Sequence, residues 1–229
     1  MAAARALRAL PAREVMRYPA PEHMLDSSPE PIIDGVSLTA SPPQLLHEGA
    51  FRPVPLLLGG TSCDASVYGK ENIMPMFSFS SLENGEFRQL YRADTRGQMD
   101  AVMQAETDFI ETEPAQFQAL SFAARGAPVW LYYFAAPTSG TYCQGAVHAA
   151  ELPYVFGNTG YSLFGAKPVA TAQGDALSRL KMAYWTNFAK TGTPDAQGLT
   201  EWSRFDATTR DTFAVPDTAL PTAPDFRSA

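Results

Sequence analysis

Val54-Pro55-Leu56-Leu57-Leu58, closed by Gly59-Gly60, and Pro128-Val129-Trp130-Leu131-Tyr132-Tyr133-Phe134 decide the fold class of this 229-residue chain. A short unbroken apolar run bounded by turn formers suits a strand buried on both faces, as in a parallel sheet. Between the runs, a helix is expected over roughly 95–111, with Met99, Val102, Met103, Phe109 and Ile110 on one face. A second helix starts at Glu113-Pro114, with Pro in the first turn and Gly126 just past its end. After the second strand, Leu177, Leu180, Tyr184 and Phe188 mark the buried face of a helix closed by Gly192, with Pro194 beyond it. Trp185 and Phe188 are read as core. Strand, helices, strand, helix is the rhythm of an α/β fold with a mainly parallel sheet.

Working outward, residues 21–31 read as an irregular loop, and Pro31–Leu38 as two short extended pieces around Asp34-Gly35. The N-terminal MAAARALRALPAREVM is broken by Arg5, Arg8, Pro11, Arg13 and Glu14. It reads as an exposed helix, because a secretory signal needs an unbroken apolar segment of ~7–15 residues. No stretch approaches the ~18–20 apolar residues that span a bilayer. Seventeen Lys and Arg against 24 Asp and Glu give a net charge of -7. A phosphate-backbone binder needs clustered basic residues, so nucleic acid is excluded as a partner. Cys63 and Cys143 allow at most one disulfide and no zinc site by themselves. Unpaired thiols are the expected state. His23 and His47 are expected at the surface.

Ligands of parallel sheets sit beyond the carboxyl ends of the strands, which singles out the loops 59–68 and 135–157. The first carries Asp64 and the second His148. A carboxylate meeting an imidazole there would fix its tautomer and leave the other ring nitrogen as a general base. From spacing alone the commoner reading prevails, with Asp64 a solvated turn residue and His148 a merely hydrogen-bonded one.

Four stretches carry a resemblance to a known family. Ile33-Asp34-Gly35 with Pro53-Val54-Pro55-Leu56-Leu57-Leu58-Gly59 is similar to a "DG…vP…G" pattern. Gly145-Ala146-Val147-His148 with Glu151-Leu152-Pro153-Tyr154-Val155-Phe156-Gly157 is similar to "gavHgsElpyvFg". Met182-Ala183-Tyr184-Trp185-Thr186-Asn187-Phe188-Ala189-Lys190-Thr191-Gly192-Thr193-Pro194 is similar to "mayWtnFAktGdP", and Glu201-Trp202 to "eWP" with Ser203 for the proline. In this order they resemble the C-terminal portion of the type-B carboxylesterases, the family that includes the cholinesterases. The resemblance implies the late strands and helices of an α/β-hydrolase fold: a linker helix and loop over 1–30, a family-matching core over 31–215 and a tail over 216–229. It implies hydrolysis of a small-molecule carboxylic ester, with His148 as general base and Asp64 as the triad acid, where the family usually has Glu. Glu151 and Ser66 match positions that support this pair. No metal or organic cofactor is implied. Family members are often secreted or periplasmic, and the compartment of this chain stays open.

The Gly-x-Ser-x-Gly nucleophile elbow and the Gly-rich oxyanion loop are absent from the sequence. The nearest approach, Gly160-Tyr161-Ser162-Leu163-Phe164-Gly165, has the wrong spacing and follows the histidine. The expectation is a chain inactive alone that lacks an N-terminal half. The alternatives are a non-catalytic remnant or binding module, or one half of a split esterase. Met74, Met76, Phe77 and Phe79 read as acyl-pocket lining in a complete enzyme, or equally as ordinary packing or a lid.

Overall fold

A computed structural model describes residues 2–15, 31–69, 84–136, 138–139, 145–161, 167–168 and 172–208. His23, Cys143, Met74, Met76, Phe77 and Phe79 lie outside these residues, as do the loop 21–30 and the stretch 162–165. The chain divides into two units, residues 1–45 and 46–229.

In the first unit, helices α1 (Ala2–Arg8) and α2 (Ala12–Val15) expose every side chain described. The expected extended pieces around Asp34-Gly35 do not form. Instead the Asp34 carboxylate accepts hydrogen bonds from the backbone N–H groups of Val36, Ser37 and Leu38, at 2.9, 2.7 and 3.0 Å. Those bonds lower its pKa to about 2. A side chain that bonds three successive amides replaces a strand ladder by an Asx-type turn. Helix α3 spans Pro42–Glu48, and His47 is exposed, as expected.

The second unit is built on two parallel strands, β1 (Leu56–Thr61) and β2 (Val129–Phe134), in register from Leu56 opposite Val129 to Thr61 opposite Phe134. β1 begins at Leu56 and continues through Gly59 and Gly60, which sit inside the strand and do not end it. Glycine is required at 59 because a Cβ there would collide with the backbone carbonyl of Tyr132. β1 is half-buried and β2 almost wholly buried, so only the second fits the expectation of burial on both faces.

Helices α4 (Gly85–Leu90), α5 (Ala93–Arg96) and α6 (Gln98–Thr107) follow β1. Helix α6 runs without a break through a widened π-turn (Asp108–Thr112) into α7 (Glu113–Ala124). This continuous helix replaces the two separate ones expected. The extra residue in the widened turn shifts the helical phase, so Val102 and Met103 are buried while Phe109 is 75% exposed. Gly126 at φ +78° closes α7, donating to Ala123 O while Ala127 N–H reaches Phe122 O.

Short strands β3 (Thr138–Ser139) and β4 (Lys167–Pro168) pair antiparallel. Between them lies α8 (Leu152–Val155), and α9 (Ala172–Thr191) ends at Gly192, φ +78°. Alternate side chains of β2 enter different layers, as the two-residue period of a strand dictates. Val129, Leu131 and Tyr133 pack with Ala119 of α7, and Trp130 packs with Tyr184 of α9 and Trp202. Trp185 meets Tyr132 edge-on at 5.2 Å and Phe188 meets Trp130 at 5.8 Å. Among the described residues no helix is long and apolar enough to cross a membrane.

Candidate active site

β1 ends at Thr61, and the chain turns at once into a 3-10 segment, Asp64–Tyr68. β2 ends at Phe134, and the chain returns alongside as the segment from Gly145. Short hydrogen bonds stitch the two strand-end segments together. Ser62 N–H donates to Phe134 O at 2.8 Å, and Cys63 N–H to Ala146 O at 2.9 Å. The Ser62 hydroxyl accepts from Ala146 N–H at 2.9 Å, and that of Ser66 from His148 N–H at 2.8 Å. Gly145 is needed for the approach, since a Cβ would strike the Ser62 hydroxyl. Cys63 is disulfide-bonded, which overturns the expectation of unpaired thiols; the sequence holds one other cysteine, Cys143.

The stitching brings Asp64 and His148 together. His148 Nδ1 lies 3.1 Å from Asp64 Oδ1, which also accepts from the Thr61 hydroxyl at 2.8 Å. Asp64 is buried, whereas the His148 side chain is 37% exposed. Facing a carboxylate, Nδ1 carries the proton and donates, which makes Nε2 the basic nitrogen of the ring. Burial works against the Asp64 charge, but hydrogen bonds from His148, Thr61 and Glu111 outweigh it and hold the carboxyl below its ordinary value of 3.8. The hydrogen bond to Asp64 outweighs burial at His148 and raises the imidazole above 6.5.

A raised histidine stabilises the fold below 6.5 and loses that contribution as pH climbs through its folded value. A lowered carboxylate contributes above 3.8 and loses it as pH falls through its folded value. The stabilisation lost in Asp64→Asn, read from thermal midpoints, is therefore expected to be greatest between pH 3.8 and 6.5 and to shrink on either side.

Ser66 and Glu151 both lie close by, and their contacts differ. Ser66 holds the backbone of His148, as above. Glu151 precedes α8, and its Oε2 is buried without a hydrogen-bond partner among the described residues. Burial raises its pKa, partly offset by its own backbone N–H and by the charge of Lys181.

Three residues near the pair escaped the sequence reading. Thr61 is one. Lys181 is fully buried in α9, its Nζ 4.4 Å from the ring centroid of Phe134, 4.9 Å from Trp185 and 5.2 Å from Tyr132. Aromatic faces of this kind hold a desolvated ammonium. The signal was present, because 181 shares the apolar stripe of 177, 184 and 188. Glu111, in the π-turn, lies against Gly60 of β1; burial and the neighbouring Asp64 carboxylate raise its pKa to about 7. No sequence signal announces it.

The residue after His148 is strained. Ala149 has φ +63°, in the left-handed region that costs a non-glycine residue ~1–2 kcal/mol. Ala149→Gly is expected to stabilise by about 0.5–1 kcal/mol once glycine's greater freedom in the unfolded chain is set against the relief. A denaturant melt checks this.

Among the described residues no group of three His, Cys, Asp or Glu side chains has metal-holding geometry. A model of the carboxylesterase family matches residues 81–221. The chain is 28% identical over 216 residues to a para-nitrobenzyl esterase of Bacillus subtilis, covering 90% of this chain and 43% of that protein. It is 29% identical over 204 residues to an acylcarnitine hydrolase of Rattus norvegicus, covering 76% and 36%. A solved structure of PNB esterase superposes with a TM-score of 0.62 at 25% identity, over 87% of this chain and 43% of that one. A Geobacillus stearothermophilus carboxylesterase superposes with a TM-score of 0.66 over 90% and 45%. The chain thus spans less than half the length of these relatives. Its described architecture is the α/β-hydrolase arrangement of those structures. With the family model covering well over half of its residues, the chain belongs to the carboxylesterase family.

Proposed function

We propose that this chain carries the general base and the orienting carboxylate of a serine-type carboxylic ester hydrolase. The observation that carries the reading is the 3.1 Å contact between His148 Nδ1 and buried Asp64, set beyond the carboxyl ends of two adjacent parallel strands. With Nδ1 held, His148 Nε2 accepts the proton of an attacking serine, returns it to the leaving alcohol, and then activates water against the acyl-enzyme. Asp64 keeps the tautomer and stabilises the imidazolium. Ser66 fixes the backbone of His148, and the charge of Glu151 favours the protonated ring.

The serine and the oxyanion donors come from polypeptide outside these 229 residues, because the sequence contains no Gly-x-Ser-x-Gly elbow. Two facts support this. The matched relatives are more than twice as long. Among the described residues β1 pairs with β2 alone, so its second edge is suited to a further strand. Without that polypeptide the chain turns over no ester, since acid and base alone lack the groups that stabilise the transition state.

The test combines the chain with an elbow-bearing N-terminal polypeptide and follows p-nitrophenyl acetate hydrolysis and fluorophosphonate labelling. Neither half is expected to act alone, and the mixture is expected to do both. A chain that binds its companion without gaining turnover or label would make it a binding module.

A further inference from the structure

We propose that Glu111 is a positioning residue for Asp64, its protonated carboxyl donating a hydrogen bond to the Asp64 carboxylate. The proposal deepens the reading above and rests on it for its catalytic meaning.

The geometry comes from the π-turn. The widened turn Asp108–Thr112 interrupts an otherwise regular helix, a feature often found at functional sites. It lays Glu111 across Gly60 of β1: from the place of a Cβ on Gly60, Glu111 Cβ is 3.3 Å away and its Oε2 3.6 Å. One residue further on, Thr61 donates its hydroxyl to Asp64, which sets Glu111, packed on Gly60, beside the group of side chains that acts on that carboxylate. Two ionised carboxylates are acceptors only, so a hydrogen bond between them requires a proton on one.

The partners decide which one. Asp64 already receives His148 Nδ1–H and the Thr61 hydroxyl, donors that favour its charged form. The groups acting on Glu111 are Asp64 and Glu151, which disfavour its charge, and His148, which favours it; Tyr132 feels its charge from β2. Burial adds to the first effect, and the balance raises Glu111 to about 7. The proton therefore sits on Glu111. Asp64 gains a third donor, and the pair holds one negative charge behind His148 until Glu111 ionises, when a second charge raises the imidazole further.

The test is a carboxyl-carbon and histidine NMR titration of the full 229-residue chain, which needs neither the serine half nor turnover. Wild-type chain is expected to show one glutamate titrating near pH 7 and a downfield Nδ1 proton on His148. In Glu111→Gln the glutamate transition disappears, the downfield proton persists because the amide still donates to Asp64, and the His148 midpoint falls. In Glu111→Leu the donor is gone and the downfield proton is weakened or lost. In the reconstituted esterase, Glu111→Gln keeps kcat below pH 7 where Glu111→Leu loses it. A Glu111 that titrates in the ordinary carboxylate range, or a leucine variant with an unchanged His148 signal, overturns the proposal. Either result is read without ester hydrolysis, so failure of the proposed function is seen separately.

Discussion

If His148 is the proposed general base, alanine at position 148 is expected to lower kcat by about 10⁴-fold in the chain reconstituted with a serine-bearing half, the scale of losing a positioned general base within a triad. KM changes little, because the imidazole binds the reacting proton and not the remote parts of the substrate. The geometry makes a second statement. In the proposed reaction Asp64 acts through His148, since its Oδ1 lies 3.1 Å from Nδ1 and its carboxylate is buried. Asp64→Asn should therefore lower kcat in the wild-type background and cost almost nothing further in His148→Ala, since groups working as a unit are grossly non-additive. Steady-state kinetics on the two single variants and the double variant measure this. A double variant showing the full product of both losses would mean that Asp64 acts on the substrate directly, and near-wild-type turnover in His148→Ala would place the base elsewhere.

How far this arrangement can be read in advance depends on the residue. Val129–Phe134 is legible because a run of large apolar side chains needs burial on both faces, and β2 has it. The meeting of Asp64 and His148 is legible only in part. Each lies on a loop that follows an apolar strand, and parallel strands bring their carboxyl ends to one side. But His148 comes well after the end of β2, and the family resemblance rather than the spacing joins the two. Gly59 and Gly60 mislead, since nothing local distinguishes a glycine that ends a strand from one that lies against a carbonyl of its neighbour. Asp34-Gly35 misleads for the opposite reason, a local side-chain bond displacing a ladder that needs a distant partner. Phe109 and Glu111 are illegible because one extra residue in a helical turn resets the face on which every later side chain emerges. Lys181 obeys the helical period and breaks the rule that an apolar stripe is filled by apolar residues. Its neighbours Tyr132, Phe134 and Trp185 come from two other places in the sequence or helix, and only packing assembles them.

Replacing Trp202 with alanine is expected to cost about 3–5 kcal/mol of stability from the emptied space. Trp202 is 2% exposed and packs edge-on to Tyr184 at 5.4 Å and tilted to Trp185 at 5.8 Å. It also does something a core aromatic need not do. Its indole N–H donates to Leu131 O at 3.1 Å, its own carbonyl accepts from the Trp130 indole at 3.0 Å, and Phe205 N–H donates to Val129 O at 2.8 Å. The segment 202–205 thus occupies hydrogen-bonding groups on the edge of β2 that would otherwise invite another strand. Asp195 holds the segment in place by accepting from Trp202 N–H at 2.8 Å. Trp202→Phe separates the two roles, keeping most of the ring volume while leaving the Leu131 carbonyl without its donor, at a cost of about 1–3 kcal/mol. For a chain of this size, alanine should lower the thermal midpoint by roughly 10 °C or more and phenylalanine by a few degrees. The alanine variant should also associate through the uncovered edge, as concentration-dependent light scattering would register. If alanine melts no lower than phenylalanine, the packing account is wrong; if neither variant associates, the cover on β2 lies elsewhere.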